Sequence, residues 1–322
     1  MLNNLTAKEN YRIFCEDNKS IPLFMQAWWM DAVCKSDSWD VFLYKKNNRI
    51  VAVWVYHFVK KMGFKIILPP KLTQTNGIWI DYSENYSKNE RLSYEKEAMT
   101  NLIQQFDKLD FSYYDQSFHY SITNWLPLFW NGFSQTTRYT YQIQDISNSN
   151  KYFNEFKKSK KSHIIKAEKL IKTDFELTGE EFYNHLEYNL NSVGKKVYYS
   201  KEFFLRLHDA CKSRNQGCIM SAYDEKNNFH AALFIVWDEN IAYNLISTIN
   251  PQFRSSGASS LLFFEIIKHM SLKTKVFDFE GSMNENIEKS FREFGAIQIP
   301  YFRITKYKSL LFKILFNLKN RG

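Results

Sequence analysis

The stretch NPQFRSSGASSLLFFEIIKHM, residues 250–270, decides the fold of this 322-residue chain. Small residues at 255–260 predict a tight turn, and the apolar run that follows has the period of an α-helix. A strand is predicted before the turn, and KVFDFEG at 275–281 reads as a buried strand after the helix. A strand, a helix and a second strand in this order indicate a crossover between parallel strands.

The sequence on both sides extends this unit into a mixed sheet. Residues 218–250 predict three strands of an antiparallel meander, with turn signals at Asn227-Asn228 and at 238–240. After the crossover, NENIEKSFREFG at 284–295 predicts a helix that ends at Gly295, and residues 296–307 predict one or two closing strands. The predicted fold class is α/β.

The first half of the chain shows a similar alternation. A helix is predicted at 24–34, a hairpin over 39–61 with its turn at Asn47-Asn48, and a longer helix at 94–109. The polar segment ISNSNKY at 146–152 interrupts the apolar periodicity and is the best linker. We therefore expect two domains, 1–150 and 151–322. No glycine-containing turn between a strand and a helix occurs in the first.

Charge and composition narrow the classes of function. The chain has 44% hydrophobic residues, 17% aromatic residues and a net charge of +9, which indicates a globular protein rather than a disordered one. Lys and Arg outnumber Asp and Glu by 27 to 19 in residues 151–322 but only by 16 to 15 in residues 1–150. The second half therefore carries the field that attracts anions: a polyphosphate donor, RNA or an anionic membrane.

The second half resembles the GNAT acetyltransferase fold. GNAT proteins carry Arg or Gln, two variable residues, Gly, a variable residue and then Gly or Ala, and the backbone amides of this turn receive the donor's pyrophosphate. The matching residues here are Arg254, Ser255, Ser256, Gly257, Ala258 and Ser259, with Ser at the last position. Amides at a helix N-terminus are unpaired and favour an anion, although Ser-Ser-Gly is also ordinary helix-capping sequence.

The whole chain resembles the Fem-type group of acyl- and aminoacyltransferases, in which two GNAT-type domains are fused and often only the second binds donor. The segments that carry this resemblance are WWMDAVC and WDVFLY in the first half, and KKSHIIKAEKL, VYYSKEFFLRL, NPQFRSSGASSLLFFEII and FDFEGSMNENIEKSFREFGA in the second. The resemblance implies that the first domain shapes the acceptor cleft and that the second binds acyl-CoA or acetyl-CoA.

Two groups of residues are candidates for binding the acceptor. A basic helix is predicted from about residue 154 to 171, and its clustered lysines are Lys157, Lys158, Lys160 and Lys161. They are suited to a phosphorylated acceptor or a tRNA, or else form a solvated helix face. Tyr198 and Tyr199 could line the same site, although most of the 20 tyrosines must be packing residues.

Glu280 is the candidate catalytic base, because it lies at the end of the predicted strand FDFEG, where neighbouring strands would separate. Asp278, two residues earlier and expected on the same face, would raise the pKa of one carboxylate through like-charge proximity. The alternative is that Glu280 caps the next helix or pairs with a basic residue.

The remaining features concern localisation. Four cysteines without metal-ligand spacing, and a start without a secretory signal pattern, predict a cytoplasmic protein that binds no metal. The segment 308–321 combines leucines and isoleucine with Lys and Arg. It would either pack on the last sheet or rest on an anionic bilayer, which would make the protein peripheral at the inner face of the membrane.

Three classes of function remain. The first is an N-acyltransferase that uses acyl-CoA and an amino group of a small-molecule, sugar, peptide or lipid precursor. The second is an aminoacyl-tRNA-dependent ligase of the peptidoglycan-bridge kind, which is less favoured because the chain lacks the charged heptads of a coiled-coil arm. The third is a GNAT-fold binding protein without turnover.

Overall fold

The computed structural model describes residues 5–35, 38–82, 85–281 and 283–319. The chain forms two compact units: the first comprises Met1–Arg138 and Pro300–Gly322, and the second comprises Tyr139–Ile299. This division differs from the predicted one at residue 150, because the last segment of the chain returns to the first unit. Which unit binds donor and which shapes the acceptor cleft stays a prediction.

Helices and strands alternate along the chain. The first ten described elements are α1 (Ala7–Asp17), α2 (Ala27–Val33), β1 (Trp39–Lys46), β2 (Arg49–Lys61), β3 (Phe64–Ile67), β4 (Ile78–Ile80), α3 (Lys88–Phe106), β5 (Tyr113–Ser117), α4 (Leu126–Trp130) and β6 (Ser134–Ile143). They are followed by α5 (Ser149–Glu155), α6 (Lys158–Ala167), β7 (Ile171–Asp174), α7 (Gly179–Asn191), α8 (Lys201–Ser213), β8 (Gly217–Asp224), β9 (Phe229–Trp237), β10 (Ile241–Ile249), α9 (Ala258–Met270), β11 (Val276–Asp278), α10 (Glu285–Arg292), β12 (Ile297–Tyr307) and α11 (Leu310–Lys319).

The first unit contains strands in the order β1, β2, β3, β5 and β12, with β4 also paired to β2. The predicted turn at Asn47-Asn48 joins β1 and β2, and both residues have the positive φ that this tight turn requires. The core is aromatic: Trp54 stacks on Phe106 of α3 with ring centroids 4.4 Å apart. Ile304 of β12 is fully buried in the same core, so residues from the end of the chain complete this unit.

The second unit contains strands in the order β6, β11, β10, β9, β8 and β7. The predicted meander β8–β9–β10 and the predicted parallel crossover from β10 to β11 are both present, so the α/β mixed sheet is confirmed. Every residue of β9 is buried because helices cover both faces. Leu233 belongs to the core that α9 completes, whereas Phe234 contacts Phe182 of α7 and Phe204 of α8.

The predicted single helix over 154–171 is wrong, because the chain breaks at Phe156 into α5 and α6. Phe156 has extended backbone angles (φ −65°, ψ 140°) and is buried against Phe264 and Phe294. The backbone N–H of Lys157 then donates to the carbonyl of Glu293 instead of continuing a helix. Tertiary packing therefore overrides the local helical pattern.

The C-terminal helix α11 has two different apolar faces. Phe312 and Phe316 stack on Tyr113 of β5, which fixes the helix to the sheet of the first unit. A second set of side chains remains 43 to 73% exposed, namely Leu310, Leu311, Ile314, Leu315 and Leu318. The segment packs on a sheet, as one of the two predicted alternatives has it, but on the sheet of the first unit and through two phenylalanines that were not predicted. Arg321 and the side chain of Lys319 lie outside the described residues.

Among the described residues, no helix is both long enough and apolar enough to span a bilayer.

Candidate active site

The turn before α9 presents the start of that helix. Residues Pro251–Ser256 form a 3₁₀ turn, and Gly257 follows with φ +81° as the N-cap of α9. The first N–H groups of an α-helix have no partner within the helix, and a glycine N-cap has no side chain to offer one. At α9 the hydroxyl of Ser256 accepts only the N–H of Ala258, at 3.2 Å. The next amides are therefore suited to an external anion.

Gly257 also has a packing role that the sequence did not reveal. A Cβ at this position would lie 2.7 Å from the carbonyl oxygen of His163 and 3.3 Å from Cβ of Ala167, both on α6. Together with the positive φ, this contact means that any side chain would displace α6. Glycine at 257 is required by helix packing, whatever binds at the turn.

The six turn residues differ in exposure. Arg254 and Ser255 are exposed, whereas Ala258 is buried beneath the start of the helix. Ser256, Gly257 and Ser259 are half-buried. The solvent-facing side of the turn is therefore made of one arginine and small residues, which permits close approach of a ligand.

The sheet opens beside this turn. β10 runs from Ile241 to Ile249, but β11 pairs only with its first three residues. β10 carries a β-bulge between Asn244 and Ile246. Beyond β11, the N–H of Phe279 donates to the carbonyl of Tyr141 on β6, so the chain follows β6 and leaves β10. The carboxyl ends of the two parallel strands therefore separate at the edge where the turn before α9 lies.

Two carboxylates lie at this opening. Asp278 has no solvent exposure, and its carboxylate accepts hydrogen bonds from the hydroxyl of Thr140, from Nε2 of Gln142 at 2.7 Å and from the N–H of Glu280 at 2.7 Å. Burial raises the pKa of Asp278 to about 6, although these three hydrogen bonds oppose the rise. Asp278 is therefore poised to change its charge near neutral pH.

Glu280 follows the strand in a left-handed conformation, with φ +55°. The residue is half-buried, but its Oε1 has no solvent access and no hydrogen-bond partner among the described residues. Burial raises the pKa of Glu280 well above its ordinary value, and the nearby charge of Asp278 raises it further. A carboxyl group in this state is suited to taking and releasing a proton.

The arrangement of these two residues differs from the predicted one. β11 ends at Asp278, so Glu280 lies in the following loop and not on the same strand face. Helix α10 is capped by Asn284, whose side chain accepts the N–H groups of Asn286 and Ile287. Glu280 is therefore not the cap of that helix, which removes one of the structural alternatives.

Part of the second half of the chain is similar to a known protein family. Residues 166–286 match the family model described as "Acetyltransferase (GNAT) domain". This part of the chain is similar to GNAT acetyltransferase domains. A search of curated proteins finds no match.

Solved structures agree with the GNAT domain match at the level of fold. FemX matches with a TM-score of 0.68 at 12% identity, over 92% of this chain and 96% of that chain. The C-terminal domain of a putative lysylphosphatidylglycerol synthetase from Agrobacterium fabrum matches with a TM-score of 0.55 at 8% identity, over 87% and 86%. A tandem GNAT protein from the clavulanic acid biosynthesis pathway matches with a TM-score of 0.50 at 9% identity, over 84% and 83%. The chain thus shares its fold with these proteins over most of its length. Together with the family match at residues 166–286, this supports a GNAT-type N-acyltransferase.

The lysines at the start of α6 are partly engaged within the second unit. Nζ of Lys157 lies 2.9 Å from Glu293, and Nζ of Lys160 lies 3.1 Å from the hydroxyl of Ser290 and 4.5 Å from the ring of Phe294. Nζ of Lys161 donates to the carbonyl of Asn154 at 2.8 Å. Glu293, which directly follows α10, therefore pairs with Lys157 and lies 3.9 Å from Nζ of Lys160.

The other residues predicted to contact the acceptor differ in solvent exposure. Lys158 is exposed at the start of α6, and Tyr198 is 64% exposed. Tyr199 is buried, and its backbone carbonyl accepts the hydroxyl of Tyr183 at 3.0 Å. Tyr199 is therefore a packing residue of α7 and α8 and not part of an open site.

Thr140 and Gln142 of β6, which donate hydrogen bonds to the buried carboxylate of Asp278, were not predicted from the sequence. Both are themselves buried, and they alternate with the apolar residues of that strand. Polar residues at every second position of a buried strand were the available signal. Among the described residues, no group of three or more His, Cys, Asp or Glu side chains is placed to hold a metal ion.

Proposed function

We propose that this protein is an N-acyltransferase that moves an acyl group from acyl-CoA or acetyl-CoA to an amino group of a small-molecule, sugar, peptide or lipid precursor. The observation that carries the proposal is that the turn before α9 and the carboxyl group of Glu280 each follow the end of one of two neighbouring strands. The turn ending at Gly257 follows β10 and Glu280 follows β11, and these strands are adjacent and parallel where they pair. Ligand sites in α/β sheets form where the carboxyl ends of such strands separate.

The donor's pyrophosphate would bind at the start of α9. The unpaired amides of the first turn point outward, and the helix dipole adds partial positive charge. Arg254 is exposed beside them and would contact a phosphate oxygen. The small side chains of Ser255, Ser256 and Ser259 leave room for this approach.

Glu280 would act as the general base. The neutral amine of the acceptor attacks the thioester carbonyl, and Glu280 takes the proton that the nitrogen loses as the C–N bond forms. The C–S bond then breaks, and the departing CoA sulfur recovers a proton from the protonated Glu280. Asp278 stays in place and holds the backbone of Glu280. Alignment of amine and thioester supplies much of the remaining rate enhancement.

The acceptor would be anionic or carry a phosphate group. Lys157, although paired with Glu293, and Lys158 are exposed at the start of α6, and Tyr198 is exposed near the start of α8. These three residues are the remaining candidates for acceptor contact. A cytoplasmic location fits a protein with four cysteines and this donor, because thiols are kept reduced there.

The second candidate is an aminoacyl-tRNA-dependent ligase, which the FemX-like fold favours. The longest helix among the described residues is α3, with 19 residues, and it packs in the core of the first unit. The described residues therefore provide no helical arm for tRNA, and acyl-CoA remains the preferred donor. A binding protein without turnover is the third candidate.

Thermal unfolding with CoA, acetyl-CoA and a long-chain acyl-CoA tests the donor. A ligand at about 100 times its Kd stabilises the folded state by about 2.7 kcal/mol. Ser259→Pro removes one amide from the first turn of α9, where proline is tolerated, and Ser259→Ala is the matched control that keeps the amide. We expect the Pro variant to lose the CoA-dependent shift and the Ala variant to keep it.

Each of the other outcomes of this experiment would exclude or favour a donor site or one of the three candidate functions. A shift of equal size in the folded Pro variant would show that CoA does not bind at this turn. No shift with any CoA compound would exclude acyl-CoA as the donor and leave the aminoacyl-tRNA reaction, which gel-shift binding of aminoacyl-tRNA then tests. CoA binding without release of CoA thiol from acetyl-CoA, across a panel of amines, would favour the binding protein.

A further inference from the structure

The first unit has a surface that the proposed reaction does not use. It consists of the exposed aliphatic face of α11, made by Leu310, Leu311, Ile314, Leu315 and Leu318, and of the hairpin turn between β2 and β3 at Lys61, Met62 and Gly63. We call this surface the α11 face. Phe64, directly after the turn, packs on Phe312 of α11 with ring centroids 5.2 Å apart. The turn and the helix therefore lie side by side.

The hairpin turn between β2 and β3 carries an unusual residue, Met62. Met62 is 83% exposed and has φ +52°, a conformation in which Asn or Gly is the ordinary residue. The chain uses Asn at the corresponding turn between β1 and β2. At the tip beside α11 it instead places a long apolar side chain in water.

The two segments that form the α11 face carry charges of one sign. The segments 58–65 and 308–318 contain five lysines and no Asp or Glu. Lys60, Lys61, Lys308 and Lys313 are exposed, and Nζ of Lys308 reaches the backbone carbonyls of Asp107 and Leu109. The carboxylate of Asp107 itself is paired with Lys306 at 3.1 Å. The surface is thus cationic at the border of its apolar part.

We infer that the α11 face binds the surface of an anionic lipid bilayer. Its composition favours a bilayer over a protein partner. The centres of protein interfaces are enriched in aromatic residues, Met and Arg and depleted in Lys, whereas this face exposes mainly leucines and isoleucine, surrounded by lysines. Aliphatic side chains that enter the lipid boundary, with lysines at headgroup level, are the pattern of an interfacial helix.

The packing of α11 also explains how so short a helix would be enough to attach the protein to a bilayer. A helix of ten residues gives marginal membrane binding alone. Here Phe312 and Phe316 fix it to the sheet, so its aliphatic face is already ordered before binding. Met62 and the hairpin lysines add a second apolar contact and further charge. Two weak signals on one rigid surface combine into stable attachment.

Cosedimentation with vesicles tests this inference without any assay of turnover. One set of vesicles contains phosphatidylcholine alone, and the other contains equal parts of phosphatidylcholine and phosphatidylglycerol. We expect the protein to bind the anionic vesicles, not the neutral ones, and to be released by high salt.

Variants of exposed residues separate the contribution of the aliphatic side chains to vesicle binding from that of the lysines. The triple change Leu311→Ser, Ile314→Ser and Leu315→Ser should abolish binding, whereas the control changes Leu170→Ser and Leu272→Ser, at exposed positions of the second unit, should leave it intact. The double change Lys60→Gln and Lys61→Gln should weaken binding about 30-fold, since each lysine near an anionic surface contributes about fivefold.

Three outcomes would overturn the inference. The first is no binding of the unaltered protein to anionic vesicles. The second is equal binding of the triple variant. The third is a dimer of the unaltered protein in size-exclusion chromatography that the triple variant loses, with no vesicle binding by either, which would show that a second copy of the chain covers the face. None of these results depends on the acyl donor or on Glu280, so the proposed reaction stands or fails separately.

Discussion

The backbone N–H of Glu280 donates a hydrogen bond of 2.7 Å to the carboxylate of Asp278, a side chain with no solvent exposure. This bond fixes the loop directly after β11, where Glu280 takes its positive φ. Asp278 in turn is held by Thr140 and Gln142 of β6. The position of the candidate base therefore depends on a buried carboxylate and on a strand more than 130 residues earlier in the chain.

Glu280→Gln should reduce turnover by about 10²–10⁴ while CoA binding stays near that of the unaltered protein. Glutamine keeps the size of the side chain but cannot accept the proton of the amine. Because burial raises the pKa of Glu280, the rate of the unaltered protein should rise with pH above the ordinary range of a glutamate, and the variant should lack this limb. Steady-state kinetics across pH measures both effects.

Glu285→Gln is the matched control, because Glu285 is exposed in the first turn of α10. Unchanged turnover in Glu280→Gln, or loss of the fold in that variant, would make Glu280 a structural residue and leave catalysis to positioning.

Asp278→Asn should change how stability depends on pH. The folded-state pKa of Asp278 is raised from 3.8 to about 6, so the folded protein holds this proton more tightly than the unfolded chain does. Its contribution to stability is fully present below pH 3.8 and is lost as pH rises through about 6. Relative to the Asn variant, the unaltered protein should lose about 3 kcal/mol between these pH values.

Urea unfolding at pH 4 and pH 7 measures this difference, with Asp209→Asn as the exposed control. The same stability difference between Asp278→Asn and the unaltered protein at both pH values would show that Asp278 does not titrate in this window.

Gly257→Ala should destabilise the second unit by about 2–4 kcal/mol, because it combines a positive φ with contact to the backbone of α6. Gly194→Ala is a matched control, since Gly194 has φ +72° but nothing within 4 Å of the added Cβ. That change should cost only about 1 kcal/mol. Urea unfolding measures both, and equal losses would refute the packing role assigned to Gly257.

Lys160→Gln should lower stability by about 1 kcal/mol, whereas Lys158→Gln should change it by less than about 0.5 kcal/mol. Lys160 is mostly buried between Ser290, Glu293 and the ring of Phe294, while Lys158 is exposed. Thermal unfolding compares the two single changes. If they had the same effect, the contacts of Lys160 would contribute nothing, and α6 would be a solvated face.

The order of elements in the second unit could be predicted because it depends on local patterns. Apolar runs, asparagine turns and the small residues at 255–260 fixed the meander, the turn and the crossover helix. The break at Phe156 could not be predicted, since it results from contact with Phe264 and Phe294, more than 100 residues away. The helical period of the lysines continued across that position and gave one helix where the protein has two.

The candidate site was predictable only in part for the same reason. Glu280 and the turn before α9 follow strands that the sequence reveals, so their proximity could be inferred from parallel pairing. Thr140 and Gln142 come from a strand that was assigned to the other domain. The sequence indicated a role in ligand binding for Gly257. Its close approach to the carbonyl of His163 shows a second role in helix packing, which only the packed helices reveal.

The return of β12 to the first unit has a consequence for how the protein is made. The second unit is one continuous segment, Tyr139–Ile299, whereas the first lacks Arg303, the partner of Asp115, and Ile304 until β12 has emerged from the ribosome. The segment that is synthesised first is thus completed last. During translation, the first unit lacks its closing strand while the second unit already has its whole sequence, so the incomplete first unit is the part exposed to chaperones and proteases at that stage.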